Sequence, residues 1–185
     1  GAITVSGGIN VTADGKAKAV ANIDGVTFSA AVANIGVNVT NASLEAKQEA
    51  YAGGDFITAG SLTVLSRFNV GNDTGYGTDG RPKTPAMDTA HGAFATVGSN
   101  AGGASLSFVG ATVNTANATS NATVRAALYG GGMNITGTAE ASVYGTSYAS
   151  ADINEPNFSA GVYNLAVNVT NATARGTFES TMDTT

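Results

Sequence analysis

The 185-residue chain has no cysteine, no tryptophan, one histidine and three prolines, and only 11% of it is charged. The absence of cysteine leaves the redox compartment open in principle, though it suits a large exported protein that must avoid mispaired thiols. An average soluble chain is about 25% charged, so here polarity has to come from Thr, Ser and Asn. The eight Lys and Arg are scattered and the net charge is -5. No basic stripe exists to neutralise phosphates, which argues against a nucleic-acid partner. No stretch approaches 18 apolar residues, so no membrane span is expected. The opening GAITVSGG lacks the charged and apolar regions of a leader, and the expectation is an excised or repeating portion of something longer.

What the chain does contain is a stretch written twice. Residues 28–43 (FSAAVANIGVNVTNAS) and 158–173 (FSAGVYNLAVNVTNAT) share eleven of sixteen positions. A more worn copy runs through residues 106–123, and small-residue turns followed by Ile-Thr recur at Ile3, Ile57 and Ile135. The repeat organisation read from this is 1–56, 57–134 and 135–185. The middle unit is longer because residues 68–92 are dense in Gly, Asp and Thr and hold two of the prolines. Such chemistry cannot hold a regular strand, which predicts a looped insertion there.

Within the units the apolar period is 2. Residues 138–153 alternate small or apolar with polar side chains, and residues 10–23 repeat the design, which predicts one long half-buried strand in each. Short turn clusters after these runs argue for antiparallel hairpins. The fold class expected is therefore all-β: an elongated stack of tandem antiparallel β repeats, solenoid-like or sandwich-like. Strands this long disfavour a short-strand parallel β-helix. In the repeated block the apolar phase shifts twice, from Phe28, Ala30 and Val32 to Ile35, Val37 and Val39, then to Ala42 and Leu44. That predicts bulges near Asn34/Asn164 and Asn41/Asn171, with Val167 in an apolar layer and Asn10, Asn38 and Asn168 outward.

The strongest motif is N-x-S/T, with Asn10, Asn38, Asn41, Asn72, Asn117, Asn121, Asn134, Asn157, Asn168 and Asn171 as acceptors. Chance would supply about 3 or 4 such matches, and these ten are candidate glycosylation sites; alternation alone also sets Asn and Thr two apart on one face. A glycan shell would keep a weakly charged chain soluble. Asp73, Asp79 and Asp88 offer oxygen ligands for calcium, but their spacing matches no known calcium loop, so a solvated loop is the preferred reading. His91 has no triad around it. Tyr51, Tyr129, Tyr144, Tyr148 and Tyr163 would stack on sugars if they lined one face, and otherwise stiffen the sheet as cross-strand partners. No HExxH, Walker loop or GxSxG occurs and the 13 acidic residues are dispersed, so no enzyme, metal or cofactor is expected.

Residues 50–64, 127–143 and the two FSA blocks resemble the repeats of giant bacterial secreted adhesins of the leukotoxin and filamentous-haemagglutinin-like type. The resemblance implies an extracellular, passive, elongated protein. The leading expectation is a structural segment of a glycosylated extracellular filament or fibrous surface adhesin, its partners further copies of itself end to end. A carbohydrate- or matrix-binding adhesin module is the alternative, and a polysaccharide-degrading β-helix enzyme comes third.

Overall fold

Runs of Val, Thr, Asn and Ala with strict alternation have little use for a helix, since β-branched side chains favour the pleated surface. A computed structural model describes residues 1–23, 27–71, 85–97, 103–154, 159–160 and 162–184, and among them every regular element is a strand. The chain passes three times through four positions. The first pass contains β1 (Ala2–Thr4), β2 (Gly8–Gly15), β3 (Ala19–Ile23) and the 28-residue β4 (Thr27–Gly54). The second contains β5 (Phe56–Ala59), β6 (Ser61–Phe68), β7 (Ala93–Val97) and another 28-residue strand, β8 (Gly103–Gly130). The third contains β9 (Met133–Ile135), β10 (Ala139–Gly145), β11 (Ala149–Ile153), β12 (Ser159–Ala160) and β13 (Tyr163–Thr184).

Each pass, or rung, lends one strand to each of four sheets, except that the third lends both β12 and β13 to the last, and the second rung is central in all of them: β1-β5-β9, β2-β6-β10, β3-β7-β11, and β8 between β4 and β12/β13. All of these pairings are parallel. The antiparallel hairpin expectation is thus corrected. Alternation and short turns are equally served by a chain that winds on and returns to the same position one rung later.

The two layers are held face to face. Ala93 and Ala95 of β7 cluster with Ala42, Ala116 and Ala118 of the long strands, while Leu62 and Val64 of β6 cluster with Ala50, Ala126 and Leu128. Going outward through β6 and β7, the facing positions on β8 run backwards, so the chain goes out along one layer and returns along the other. Gln48 ties the layers, its Nε2 donating to the carbonyls of Ala13 at 2.9 Å and Arg67 at 2.6 Å. Every second residue from Asn114 to Leu128 is buried, which identifies the inner face of β8. Burial concentrates in the second rung because only it has strands on both sides.

Three local expectations also change. β2 and β3, like β10 and β11, are separate strands joined by a three-residue corner, not one long strand; alternation persists through the corner because Ala17 still packs inward against the cluster of Phe68, Ala122 and Val124. The register between β4 and β8 is unbroken one-to-one through Asn34 and Asn41, and that between β13 and β8 through Asn164 and Asn171, so neither pair of sites is a bulge. What shifts is the face carrying apolar residues. Ile35, Val37 and Val39 share the outward parity with Leu165, Val167 and Val169, and all six are exposed. Val167 is therefore outward, and Asn38 and Asn168 lie on the inner parity instead.

The second rung has its extra residues between β6 and β7. Its base is described: Val70 and Met87 form an antiparallel bridge, and Gly71 N–H donates to the Ala86 carbonyl at 2.7 Å.

Candidate functional site

The most organised polar features are two columns of asparagine made by stacking rungs. On the inner face the register sets Asn38, Asn114 and Asn168 side by side. Asn38 Nδ2 donates to Asn114 Oδ1 at 2.9 Å, and Asn114 Nδ2 to Asn168 Oδ1 at 3.1 Å. On the outer face Asn171 Nδ2 donates to Asn117 Oδ1 at 2.9 Å, and Asn117 Nδ2 to Asn41 Oδ1 at 2.8 Å. Parallel, in-register pairing places identical amides about 4.8 Å apart, close enough for each to donate to the next. Asn114 is 2% exposed, so its column supplies hydrogen bonds that a buried amide must have.

Five of the ten sequon asparagines thus sit in the columns: Asn38 and Asn168 inside, and Asn41, Asn117 and Asn171 outside. A sugar on one of these would replace an amide hydrogen and need room between neighbours only one strand apart. Asn10, Asn121 and Asn134 are exposed and outside the columns. Asn72 and Asn157 lie outside the described residues, as do Asp73 and Asp79.

A charged pair sits beside the first corner. Asp14 and Arg67 are register partners, and the guanidinium grips the carboxylate with two bonds, Nε–Oδ1 at 2.6 Å and Nη2–Oδ2 at 2.9 Å. The corner is closed by Asn69, fully buried and at φ 49°, whose Oδ1 accepts from Ala17 N–H at 2.8 Å and whose Nδ2 donates to the Ala17 carbonyl at 3.3 Å. Asparagine tolerates this left-handed backbone better than most residues. Asp88, at the end of the insertion, receives Lys16 Nζ at 2.8 Å and His91 Nδ1 at 2.9 Å. Those two hydrogen bonds, Lys16 first, lower its pKa to about 2. His91 and Asp88 are bound into this corner cluster, and among the described residues no group of three or more acidic, His or Cys side chains is set to hold a metal.

Of the six tyrosines, the five considered above (Tyr51, Tyr129, Tyr144, Tyr148 and Tyr163) do not line one face. Tyr144 lies on β10 and Tyr148 at a corner, its ring 5.7 Å from Phe94, whereas Tyr51, Tyr129 and Tyr163 lie on the long strands. Tyr51 and Tyr129 flank a shallow dent with Ala127 and Arg125, whose guanidinium lies 5.6 Å from the Tyr129 ring. Sequence reasoning missed this dent and both asparagine columns. The signal for the columns was present, because VNVTNA recurs at 37–42 and 167–172, but only as a glycosylation pattern.

Among the described residues, each outer rung is paired along one edge only and leaves the other edge open. β4 and β13 each have β8 on one side alone, and every residue of β13 with a described side chain is exposed or partly exposed. Among the described residues no helix is long and apolar enough to cross a membrane. No protein-family model, curated protein or solved structure matches the chain.

Proposed function

We propose that this chain is a structural segment of an extracellular filament or fibrous surface adhesin, a passive, non-enzymatic element assembled end to end from copies of the same rungs. The observation that carries the reading is the pair of open end rungs flanking a fully paired central one, with side-chain columns running straight through all three. A long, flat, unpaired strand edge is ordinarily blunted by proline, lysine or a bulge because it recruits another strand. β9 to β13 contain neither proline nor lysine. Stability that accumulates rung by rung favours stacks over isolated units. Glycans would sit at Asn10, Asn121 and Asn134, where the exposed surface leaves room for them. Electron micrographs and sedimentation of the native protein test the filament: elongated assemblies growing with concentration are expected, and a persistent monomer overturns it.

A second reading is favoured by one feature, the dent between Tyr51 and Tyr129. Two tyrosine faces with an arginine beside them suit the apolar face and hydroxyls of a sugar ring, which would make the segment a carbohydrate-binding adhesin module. Tyr51→Ala with Tyr129→Ala abolishing retention on a glycan array would support it; unchanged retention would remove the dent from consideration.

A further inference from the structure

The register relating the first rung to the third is the same everywhere. Through the second rung, Ile3 aligns with Met133 by way of Ile57, Ile9 with Ala139 by way of Leu62, Ala19 with Ala149 by way of Ala93, and Ala33 with Tyr163 by way of Val109. Each of these is a shift of 130 positions, and Phe28 to Phe158, the offset of the sequence repeat, is the same 130. The two most alike rungs in the chain are therefore the two that lie on either side of the second and do not pair with each other. They are also the two that expose their edges.

We infer that the third rung of one copy pairs with the first rung of the next as a parallel β-augmentation in this register, residue n of the first rung opposite residue n + 130 of the third. The inference rests on the filament reading above and specifies its joint. In this register Val37 meets Val167, Asn41 meets Asn171, and Ala42 meets Ala172, so identical side chains adjoin as they do in stacked strands generally. The outer asparagine column has a direction that continues across the joint. Its donors point from the third rung to the first, so Asn171 presents Oδ1 at one end of a copy and Asn41 presents Nδ2 at the other. The next copy's Asn41 donates to Asn171.

The charges agree with the same alignment. Glu45 falls opposite Arg175, a favourable cross-strand pair. Glu49 falls opposite Glu179, but each already faces a cation within its own copy, Lys47 at 3.4 Å and Arg125 at 4.0 Å. A slip of two residues would set Glu45 against Thr173 or Thr177 and lose the pair. A slip of one would turn every inner side chain outward. The joint involves roughly 40 strand residues on each side, more than the 20–30 of a standard stable interface.

The native chain has no cysteine, which makes the joint easy to read. Ser43 and Thr173 are opposed across it, yet within one copy the second rung lies between them. Full-length Ser43→Cys and Thr173→Cys proteins, mixed and mildly oxidised, are expected to form a disulfide-linked heterodimer, because opposed strand residues fall within disulfide range. Ser43→Cys mixed with Thr177→Cys, four residues off register, is expected to form several-fold less. Separately, Glu45→Arg should weaken assembly seen by sedimentation, and adding Arg175→Glu in the same chain should restore it. Equal cross-linking in both mixtures, or no rescue by the double reversal, overturns the register while leaving a filament of another geometry standing. Absence of assembly in the unsubstituted protein overturns the filament itself and the joint with it.

Discussion

At the residue scale, the asparagine columns show how position decides the worth of one side chain. Asn114 is buried and sits between two amides, accepting from Asn38 and donating to Asn168. Asn114→Ala removes a partner from each and opens a small void, for an expected loss of about 2–3 kcal/mol. Asn117 occupies the same place in the outer column but is only half-buried, and water can replace what Asn117→Ala removes, so about 1 kcal/mol or less is expected. Urea unfolding of the two variants checks the order; equal losses would mean that burial does not govern these columns. Asp88 supplies a pH signature. Its carboxyl is lowered from the ordinary 3.8 to about 2, first by the hydrogen bond from Lys16 and then by that from His91. A carboxyl whose folded pKa is depressed adds stability that is complete above the unfolded pKa and vanishes as pH falls through the folded one. The contribution is therefore present above about pH 4 and lost between about 4 and 2. Melting temperature followed against pH should fall over that window in the native chain and fall less steeply in Asp88→Asn.

At the scale of the element, the long strands carry two faces with different tolerances. Between the layers alanine meets alanine, Ala93 and Ala95 against Ala116 and Ala118, all 1% exposed or less. Small side chains let the backbones approach, and a larger side chain at so buried a position has to displace its neighbours. Ala118→Leu should destabilise by about 1–3 kcal/mol through overpacking. The outward face of the same sheet behaves oppositely. Val167→Asp places a charge on an exposed position of an edge strand, and surface changes of that kind stay within about 0.5 kcal/mol. Paired melts of these variants check both statements, and a large loss from Val167→Asp would reverse the assignment of faces. The corner carries a third constraint. Gly92 has φ 145° and its absent Cβ would collide with the Tyr148 carbonyl, so the chain re-enters the sheet there only because glycine stands at that point.

At the scale of the whole molecule, the second rung is at once the most buried and the one interrupted by extra residues. The interruption is tolerated because it leaves and returns at a corner, where the chain is already out of the ladder. Yet its ends belong to the corner. Asn69 bonds Ala17 on both of its backbone groups, and Asp88 anchors Lys16. Excising residues 72–84 and closing the gap with a short glycine linker should leave the cooperative melt and β-type circular dichroism intact. Excising 69–91 should lower the melting temperature by several degrees, since it also strips the first rung's corner of these partners. Equal behaviour of the two deletions would show that Asn69 and Asp88 do not brace the corner.

The sequence by itself determined that the chain is built from strands, because its β-branched and small residues alternate with period 2. It also determined that a block recurs 130 residues on, and that Gly, Asp and Pro interrupt the pattern in the middle. It left open how the strands pair, since alternation is the same signal whether neighbours run parallel or antiparallel, and a three-residue corner resembles a hairpin turn. It also left open which face is inner. Val37 and Val167 look like core by hydrophobicity, while Asn38 and Asn168 look like surface. Only the layer lying opposite decides that Ala42, Ala116 and Ala118 mark the inner side, and with them the neighbouring asparagines. The columns follow from the same cause. An N-V-T or N-A-T motif reads as a lone acceptor in one dimension, and becomes a hydrogen-bonded stack only once winding brings its counterparts within one strand spacing.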